Sequence, residues 1–303
     1  MPVTRDHAAG SATLGGCRAV VLQTGPFRFR VSSAEPGVAS AVRVVYADFP
    51  SDHRGATGFI DFHVSVERVR GPRQWLRPIV NFALDGHIPF KPLPADHAFA
   101  LLEWGMNWCI ATQAHHYLLI HAAVLERHGH CVILPGEPGA GKSTLTAALA
   151  LSGWRLLSDE MTVVDRDDGL IAPLARPISL KNESIEIIRR RFPGAVFGDV
   201  AHDTHKGTVS HLKPPADSVA RMHEKGRARH VVFPRWSAGA ATRLVPRAKA
   251  DAFMHLATHA FNYSLLGRLG FELNAALIDA CDCWHFEYSD LDDALRVFEE
   301  LTA

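Results

Sequence analysis

The octapeptide Gly136-Glu137-Pro138-Gly139-Ala140-Gly141-Lys142-Ser143 constrains this chain more than any other feature of its sequence. It follows the apolar run Cys131-Val132-Ile133-Leu134 and precedes an Ala/Leu-rich segment that ends at Leu151. The pattern G-x-x-x-x-G-K-[ST] between a strand and a helix has a physical meaning. Glycines let the backbone curl so that successive N–H groups converge on an anion. The helix N-terminus behind them adds partial positive charge. Lys142 then reaches terminal phosphates, and the Ser143 hydroxyl is placed to ligate Mg²⁺. A glycine turn that matches by chance is the alternative, and the flanking strand and helix weigh against it. Residues Gly136, Glu137, Pro138, Gly139, Ala140, Gly141, Lys142, Ser143 and Thr144 are therefore expected to bind a nucleotide.

Seventeen residues after Lys142, the segment Leu156-Leu157-Ser158-Asp159-Glu160 sets two acids at the end of a short apolar run. Gly153 closes the preceding helix and Arg155-Leu156-Leu157 reads as the next strand. Strand, loop, helix and strand make a βαβ unit in a sheet that is at least partly parallel. Open α/β sheets bind ligands beyond the carboxyl ends of their strands. Asp159 and Glu160 would then share a crevice with the glycine loop. One would hold Mg²⁺, directly or through water, and the other would accept a proton from an incoming hydroxyl. A surface acid pair in a turn is the plainer alternative.

The rest of the chain divides at about residue 94. Residues 27–31 and 60–67 alternate apolar and polar, as strands with one wet face do. Asp85-Gly86, between 79–84 and 88–90, predicts a tight hairpin with positive φ at both turn positions, and 91–94 should break the sheet. From Asp96, a plausible N-cap, the period changes to a broad stripe of Phe99, Leu102, Trp104, Met106, Cys109 and Ile110, which fits a buried helix. Segments 117–125 and 131–134 read as adjacent strands about a turn at Gly129. Beyond Asp165 we expect a helix over 183–191, a long loop over 192–215 and a strand at 231–233. Helices over 249–266 and 269–281, a strand over 284–288 and a helix opening at Ser289-Asp290 complete the chain. No internal repeat is present. The domains expected are a β-rich region, 1–94, and a catalytic part, 95–303.

Charge narrows the choice of partners. Lys+Arg and Asp+Glu number 32 each, so no global basic field exists for nucleic acid or an acidic membrane. No apolar run approaches the roughly 20 residues of a membrane span, and residues 1–16 lack the apolar core of a signal peptide. Cys17, Cys109, Cys131, Cys281 and Cys283 are odd in number, and the C-x-C pair has no second pair to complete a zinc site. They read as reduced thiols of a cytoplasmic protein. Locally the balance is polarised: 181–230 carries ten Lys+Arg against six Asp+Glu, and 271–303 carries nine acids and one Arg. A basic loop near a triphosphate would close over its end or steer an anionic acceptor, with Lys206 as the contact. A solvated loop, or a metal site of His202, Asp203 and His205, are the other readings. Arg189-Arg190-Arg191 reads as the wet face of a helix.

His121-Ala122-Ala123, the fifteen residues from His121 to Gly136, the glycine loop and Gly153-Trp154-Arg155-Leu156-Leu157-Ser158-Asp159-Glu160 together resemble the core of bacterial HPr kinase/phosphorylase. Over most of the chain the resemblance is to the HprK-related kinase A group. It extends to Pro177-Ile178-Ser179-Leu180-Lys181-Asn182, Lys206-Gly207-Thr208 and Tyr288-Ser289-Asp290-Leu291-Asp292. The resemblance implies an α/β fold: a P-loop kinase core of the type shared with phosphoenolpyruvate carboxykinase, preceded by the β-rich region. It implies an ATP- and Mg²⁺-dependent kinase that transfers the γ-phosphate to a hydroxyl, serine foremost, of a protein or small-molecule acceptor. By position Asp159 would be the catalytic carboxylate, Glu160 a metal or metal-water ligand, and His121 a support for acid–base work beside the transferring phosphate.

The departures bear on substrate. Glu160 stands where those enzymes have Asp. Ser179-Leu180-Lys181-Asn182 carries Ser at a downstream carboxylate position and Lys for Arg, which weighs against a phosphorylase activity and against HPr as acceptor. A nucleotide-dependent regulatory ATPase and a nucleotide-binding pseudo-kinase scaffold are alternatives built on the same loop, and a homo-oligomer is compatible with either.

Overall fold

The computed structural model describes residues 18–52, 58–71, 76–137 and 139–303. Residues 1–16, Cys17 and Pro138 of the expectations above lie outside them. The chain is mixed α/β. Strands β1 (Arg18–Thr24) and β2 (Phe27–Ser33) pair antiparallel. Helix α1 (Pro36–Val45) begins with a proline, whose fixed φ suits a first turn, and buries Val38, Ala41 and Val45. That spacing of three and then four, one face of a helix, was not picked out from the sequence. Strands β3 (Ser51–Asp52), β4 (Phe62–Arg68), β5 (Ile79–Leu84) and β6 (Leu93–Pro94) complete a six-stranded sheet in the order β3-β1-β2-β4-β5-β6.

The alternation in 27–31 and 60–67 holds, with Phe27, Phe29, Val31, Phe62, Val64 and Val66 buried on one face. Asp85 and Gly86 both have positive φ, 49° and 80°. The expected second arm, 88–90, shrinks to one bridge between Leu84 and His87. Leu93 and Pro94 return to pair with β5, where a break was expected. Helix α2 (Ala98–Gln113) lies over β4 and β5. Its N-cap is His97; Asp96 sits in the 3₁₀ turn Ala95–His97 before it and does not cap.

The apolar run 117–125 is two strands. β7 (Tyr117–Ile120) and β8 (Ala122–Arg127) part at His121 and enter different sheets. β8 continues through β9 (His130–Pro135), which leads by way of the glycine loop to α3 (Lys142–Leu151) and β10 (Arg155–Ser158). β7 instead joins β11 (Thr162–Asp165) and β12 (Ile171–Ala172). The βαβ expectation is corrected in one respect. β8 pairs antiparallel with both β9 and β10, so β9 and β10 run the same way with β8 between them.

Residues 192–215, expected as a long loop, hold a hairpin. β13 (Ile178–Lys181) precedes α4 (Glu183–Arg191), and β14 (Ala201–Thr204) and β15 (Gly207–Leu212) then form a sheet in the order β13-β15-β14. The Gly-, His- and Pro-rich composition of that stretch concealed β15, in which Ser210 and His211 are polar residues that are buried. After α5 (Ala216–Ala220), β16 (Arg227–Trp236) runs parallel to β9, and β17 (Arg243–Pro246) follows.

The helix expected over 249–266 divides into α6 (Lys249–His259) and α7 (Tyr263–Leu266). The cause is the edge of β7, which is buried and has no further strand beside it. Phe261 N–H donates to Leu119 O, while Asn262 accepts from Leu119 N–H and donates to Tyr117 O. Those bonds need extended backbone. α8 (Arg268–Asp279), β18 (Asp282–Tyr288) and α9 (Leu291–Leu301) end the chain, with Asp290 capping α9 by accepting from Asp293 N–H at 2.9 Å.

The main sheet has the order β10-β8-β9-β16-β18-β17. Its parallel strands β9, β10, β16 and β18 end at one edge, where β8 begins. Cys109, Cys131, Cys281 and Cys283 are buried free thiols, and burial pushes Cys109, Cys131 and Cys281 up to about 12. Among the described residues no helix is long and apolar enough to cross a membrane.

Arg176, just before β13, is tied to α2, the helix that lies over β4 and β5. Its guanidinium, 6% exposed, bonds Glu103 Oε2 at 2.6 Å, Asn107 Oδ1 at 2.7 Å and the Glu103 carbonyl at 3.0 Å, all on α2. Tyr46 donates to the other Glu103 oxygen at 2.6 Å. Glu103→Ala would leave a buried charge unpaired and should cost about 3–5 kcal/mol. Replacing both partners by apolar residues of similar volume should cost less. Urea unfolding midpoints of the two variants check this, and equal midpoints would contradict it.

Candidate functional site

The edge where β9, β10, β16 and β18 end gathers most of the residues singled out from the sequence. Gly139 and Gly141 have φ of 88° and 84°. At Gly141 a side chain is excluded twice over: a Cβ there would lie 2.6 Å from Tyr288 Oη and 2.9 Å from Trp236 Cβ. The loop is pinned from the neighbouring strands. Trp236 N–H donates to Ala140 O at 3.0 Å, Tyr288 Oη donates to Gly141 O at 3.2 Å, and Ala140 N–H turns back to Glu137 O at 3.1 Å. Neither Trp236 nor Tyr288 was singled out from the sequence as a site residue, because aromatic residues at strand ends look like core.

Lys142 opens α3 and is buried, and its Nζ has no hydrogen-bond partner. Leaving a buried polar group unpaired is costly, so an amine held this way marks a place for an anion. Ser143, in the same turn, is partly exposed. Thr144 turns away, its hydroxyl donating to Ser184 Oγ at 2.8 Å on α4. Glu137 also points outward, its carboxylate 3.1 Å from His259 Nε2. These two loop residues face neighbours on the protein.

Asp159 and Glu160 follow β10 at the same edge. Asp159 is 4% exposed; Oδ2 accepts from Ser179 N–H at 3.2 Å, and Oδ1 has no partner. Burial first, and then the Glu160 charge, push the Asp159 carboxyl up to about 7, against the pull of Lys142, the Ser179 N–H and Lys181. For Glu160, burial acts upward, but Lys142, His121, Lys181 and Lys206 outweigh it and hold the carboxyl below its ordinary value. Two adjacent acids thus differ in character, one poised near neutrality and one firmly charged. Such splitting is how carboxylate pairs divide acid–base from electrostatic work.

His121, between β7 and β8, donates from Nδ1 to Glu160 O at 3.0 Å, which leaves the lone pair on Nε2. Its own N–H donates to His259 O at 3.0 Å, and its ring meets Phe261 edge-on. Burial and the Lys142 charge lower its pKa, so the neutral ring prevails. Lys206 sits at the turn of the β14–β15 hairpin, where its N–H donates to Thr204 Oγ1, and its Nζ lies 5.3 Å over the Trp104 ring. Desolvation and the Lys181 charge lower its pKa, and Glu160 opposes them.

Lys181, at the end of β13, was missed as a site residue, yet its charge bears on Asp159, Glu160 and Lys206. Its neighbour Ser179 carries a buried hydroxyl with no partner. An open pocket beside the acids is lined by Trp104, Asp159, Glu160, Pro177, Ser179 and His211, among others. His202, Asp203 and His205, weighed as metal ligands, do not converge. His202 gives its carbonyl to His97 Nε2 at 2.6 Å, and the His205 ring packs on Trp104.

No family model matches the chain, and no curated protein matches its sequence. Among solved structures it is similar to the HPr(Ser) kinase/phosphatase from Coxiella burnetii, with 12% identity and a TM-score of 0.28 over 60% of this chain and 96% of that one. At that level the similarity assigns no family.

The raised Asp159 carboxyl predicts a pH signature. A carboxyl whose folded pKa exceeds its unfolded value stabilises the fold fully below the unfolded pKa, 3.8 here, and loses that contribution as pH rises through the folded value, about 7. Glu160, held low, contributes stability that is lost only as pH falls below its ordinary range, so it is silent between pH 5 and 7. In that window Asp159→Asn should flatten the fall of unfolding free energy with pH by up to about 1.4 kcal/mol per pH unit. Denaturant titrations at pH 5, 6 and 7 measure it; parallel curves for wild type and variant would refute it.

Proposed function

We propose that the chain is an ATP- and Mg²⁺-dependent phosphotransferase of the HPr kinase-like type, acting on a hydroxyl acceptor. The observation that carries this is the buried, unpartnered Lys142 amine beside a carboxylate pair of which one member titrates near neutrality. An anion would relieve the amine, and a group with pKa near the working pH is the efficient general base. In this reading the backbone N–H groups of Gly139 and Gly141 and the Lys142 amine bind the phosphates. Residues 95–303 would be the catalytic part, preceded by the β-rich region 1–94, working in the reducing cytoplasm.

The residues present fit a divalent cation. Glu160 is held charged, and the Ser143 hydroxyl lies in the first turn of α3 at the same edge. Ser143 and Glu160 would hold Mg²⁺, which when bound supplies charge neutralisation on the phosphates. Asp159 takes the proton from the acceptor oxygen as that oxygen attacks phosphorus. Its Oδ2 is oriented by Ser179 N–H and its Oδ1 is left free for that proton. His121, fixed through Nδ1, presents Nε2 as acceptor and steadies Glu160 through its carbonyl. Lys206 and Lys181 counter the charge of an anionic acceptor and help keep water from the phosphate. The acceptor would be a protein or a small-molecule alcohol.

Labelled γ-phosphate in an extract of the source cells tests the reading. Wild type should label an acceptor, and Lys142→Ala should lower labelling by about 10²-fold or more. Asp159→Asn should lower it about 10²–10⁴-fold and remove a rise in rate with pH centred near 7. Undiminished transfer by Asp159→Asn would overturn the base assignment. Lys142-dependent release of phosphate with no labelled acceptor would make the protein an ATPase.

A further inference from the structure

Glu137, at the start of the glycine loop, and His255 and His259 on α6 bring three potential ligand atoms within 4.8 Å of one another, and the phosphotransferase reading gives none of these side chains a role. His255 and His259 are four apart on α6 and so share one face of the helix. Their rings stack at 4.1 Å with an interplanar angle of 10°. Glu137 comes to them from the glycine loop, with its carboxylate oxygen 3.1 Å from His259 Nε2.

The proton positions around His259 make this contact informative. The Thr258 hydroxyl has the carbonyls of Met254 and His255 at 3.0 Å as acceptors, so its proton is committed to them. His259 Nδ1 lies 2.8 Å from His255 O and 3.1 Å from Thr258 Oγ1, both of which can then only accept, so Nδ1 carries a hydrogen. A neutral His259 therefore turns its Nε2 lone pair toward a carboxylate oxygen. Two lone pairs do not attract at 3.1 Å, and something positive belongs between them: a proton on the ring, or a metal. An Nδ1–H held by a backbone carbonyl is also the usual outer support of a metal-binding imidazole.

The second histidine favours the metal. His255 Nε2 is buried and has no partner, and the His255 ring meets Phe233 edge-on at 4.8 Å. A proton on His259 would satisfy Glu137 and leave that atom orphaned. A cation reached by all three satisfies every group at once. Two imidazoles and one carboxylate suit Zn²⁺ and its neighbours rather than Mg²⁺, and three protein ligands leave a fourth position open.

We propose that Glu137, His255 and His259 form a site for a divalent transition metal of the Zn²⁺ class, which clips the glycine loop to the end of α6. Tetrahedral donors about 2.0–2.1 Å from Zn²⁺ sit roughly 3.4 Å apart, and the in-plane lone pairs of two stacked rings do not meet at one ion, so the His255 ring must turn out of the stack as the ligands draw together. Its Nε2 has no partner to hold it, and the Glu137 side chain, 67% exposed, is free to follow. The clip would hold Glu137 while His259 O holds His121 from behind.

The test uses the full chain, stripped with chelator and free of nucleotide, titrated with Co²⁺ and then with Zn²⁺ in competition. Wild type should bind one equivalent of Co²⁺ with the intense visible bands of a four-coordinate ion, displaced by Zn²⁺ and not by Mg²⁺. His259→Ala and His255→Ala should each weaken binding about tenfold or more, and Glu137→Gln, a surface change that leaves folding intact, should do the same. Zn²⁺ should raise the unfolding temperature of wild type and not of Glu137→Gln. Absence of stoichiometric Co²⁺ binding, or binding untouched by Glu137→Gln and His259→Ala, would overturn the proposal and leave Glu137–His259 a proton-bridged pair. Because no nucleotide is present, either failure leaves the phosphotransferase reading standing.

Discussion

The amine of Lys142 is the charge around which the sheet edge is organised. It begins α3, is buried, and has no hydrogen-bond partner. An uncompensated buried charge would be costly to fold, and the compensation at hand is electrostatic, from Asp159 and Glu160. They in turn depend on it. Lys142 is the largest influence lowering the Glu160 carboxyl, and it restrains the rise of Asp159. Placement of the lysine follows from geometry. Gly141, which tolerates no Cβ beneath Tyr288 and Trp236, fixes the direction in which α3 starts. The loop, the helix and the acids are thus one problem with one solution.

Two breaks in regular structure supply the remaining pieces. His121 interrupts an otherwise continuous apolar run, so that β7 and β8 diverge and the imidazole lies between two sheets with its Nδ1 on the Glu160 carbonyl. The second break, at 260–262, ends α6 because the edge of β7 needs partners for Leu119 N–H, Leu119 O and Tyr117 O. Unpaired backbone groups at a buried edge are costly, so the helix gives way. That same stop leaves His259 O free to accept from His121 N–H.

Local signals in the sequence carried much of this, and tertiary ones did not. Alternation in 27–31 and 60–67 was legible because one face of those strands is buried against α2 and the other is wet. The glycine loop was legible because positive φ and close approach leave glycine no competitor. Asp159 and Glu160 were legible from their distance to Lys142 and from the resemblance, but the difference in their titration was not, since it arises from groups as far away in sequence as Ser179, Lys181 and Lys206. The β14–β15 hairpin was hidden for the converse reason. Its buried Ser210 is satisfied by the Gly198 carbonyl at 3.0 Å, a partner that composition does not reveal. The insertion of β8 between β9 and β10 was also invisible, because a crossover that skips one strand has the same local pattern as one that does not.

Neutral overall charge, 32 against 32, says nothing of this edge. Lys142, Lys181 and Lys206 act there on Asp159 and Glu160, and Asp159 is only partly ionised near pH 7. Three amines against fewer than two full negative charges leave the edge cationic, and a cationic cleft concentrates anions. The shortfall is itself adjustable, because Asp159 responds to whatever charge arrives. Added negative charge keeps its proton on, and neutralisation of that charge takes the proton off. A polyanion that enters with its charge partly neutralised therefore finds Asp159 in its basic form, whereas a bare one does not. Under the phosphotransferase reading, this makes the base available only when the phosphates are already balanced. The basic stretch 181–230 matters because it supplies Lys181 and Lys206, two of the charges that set that balance.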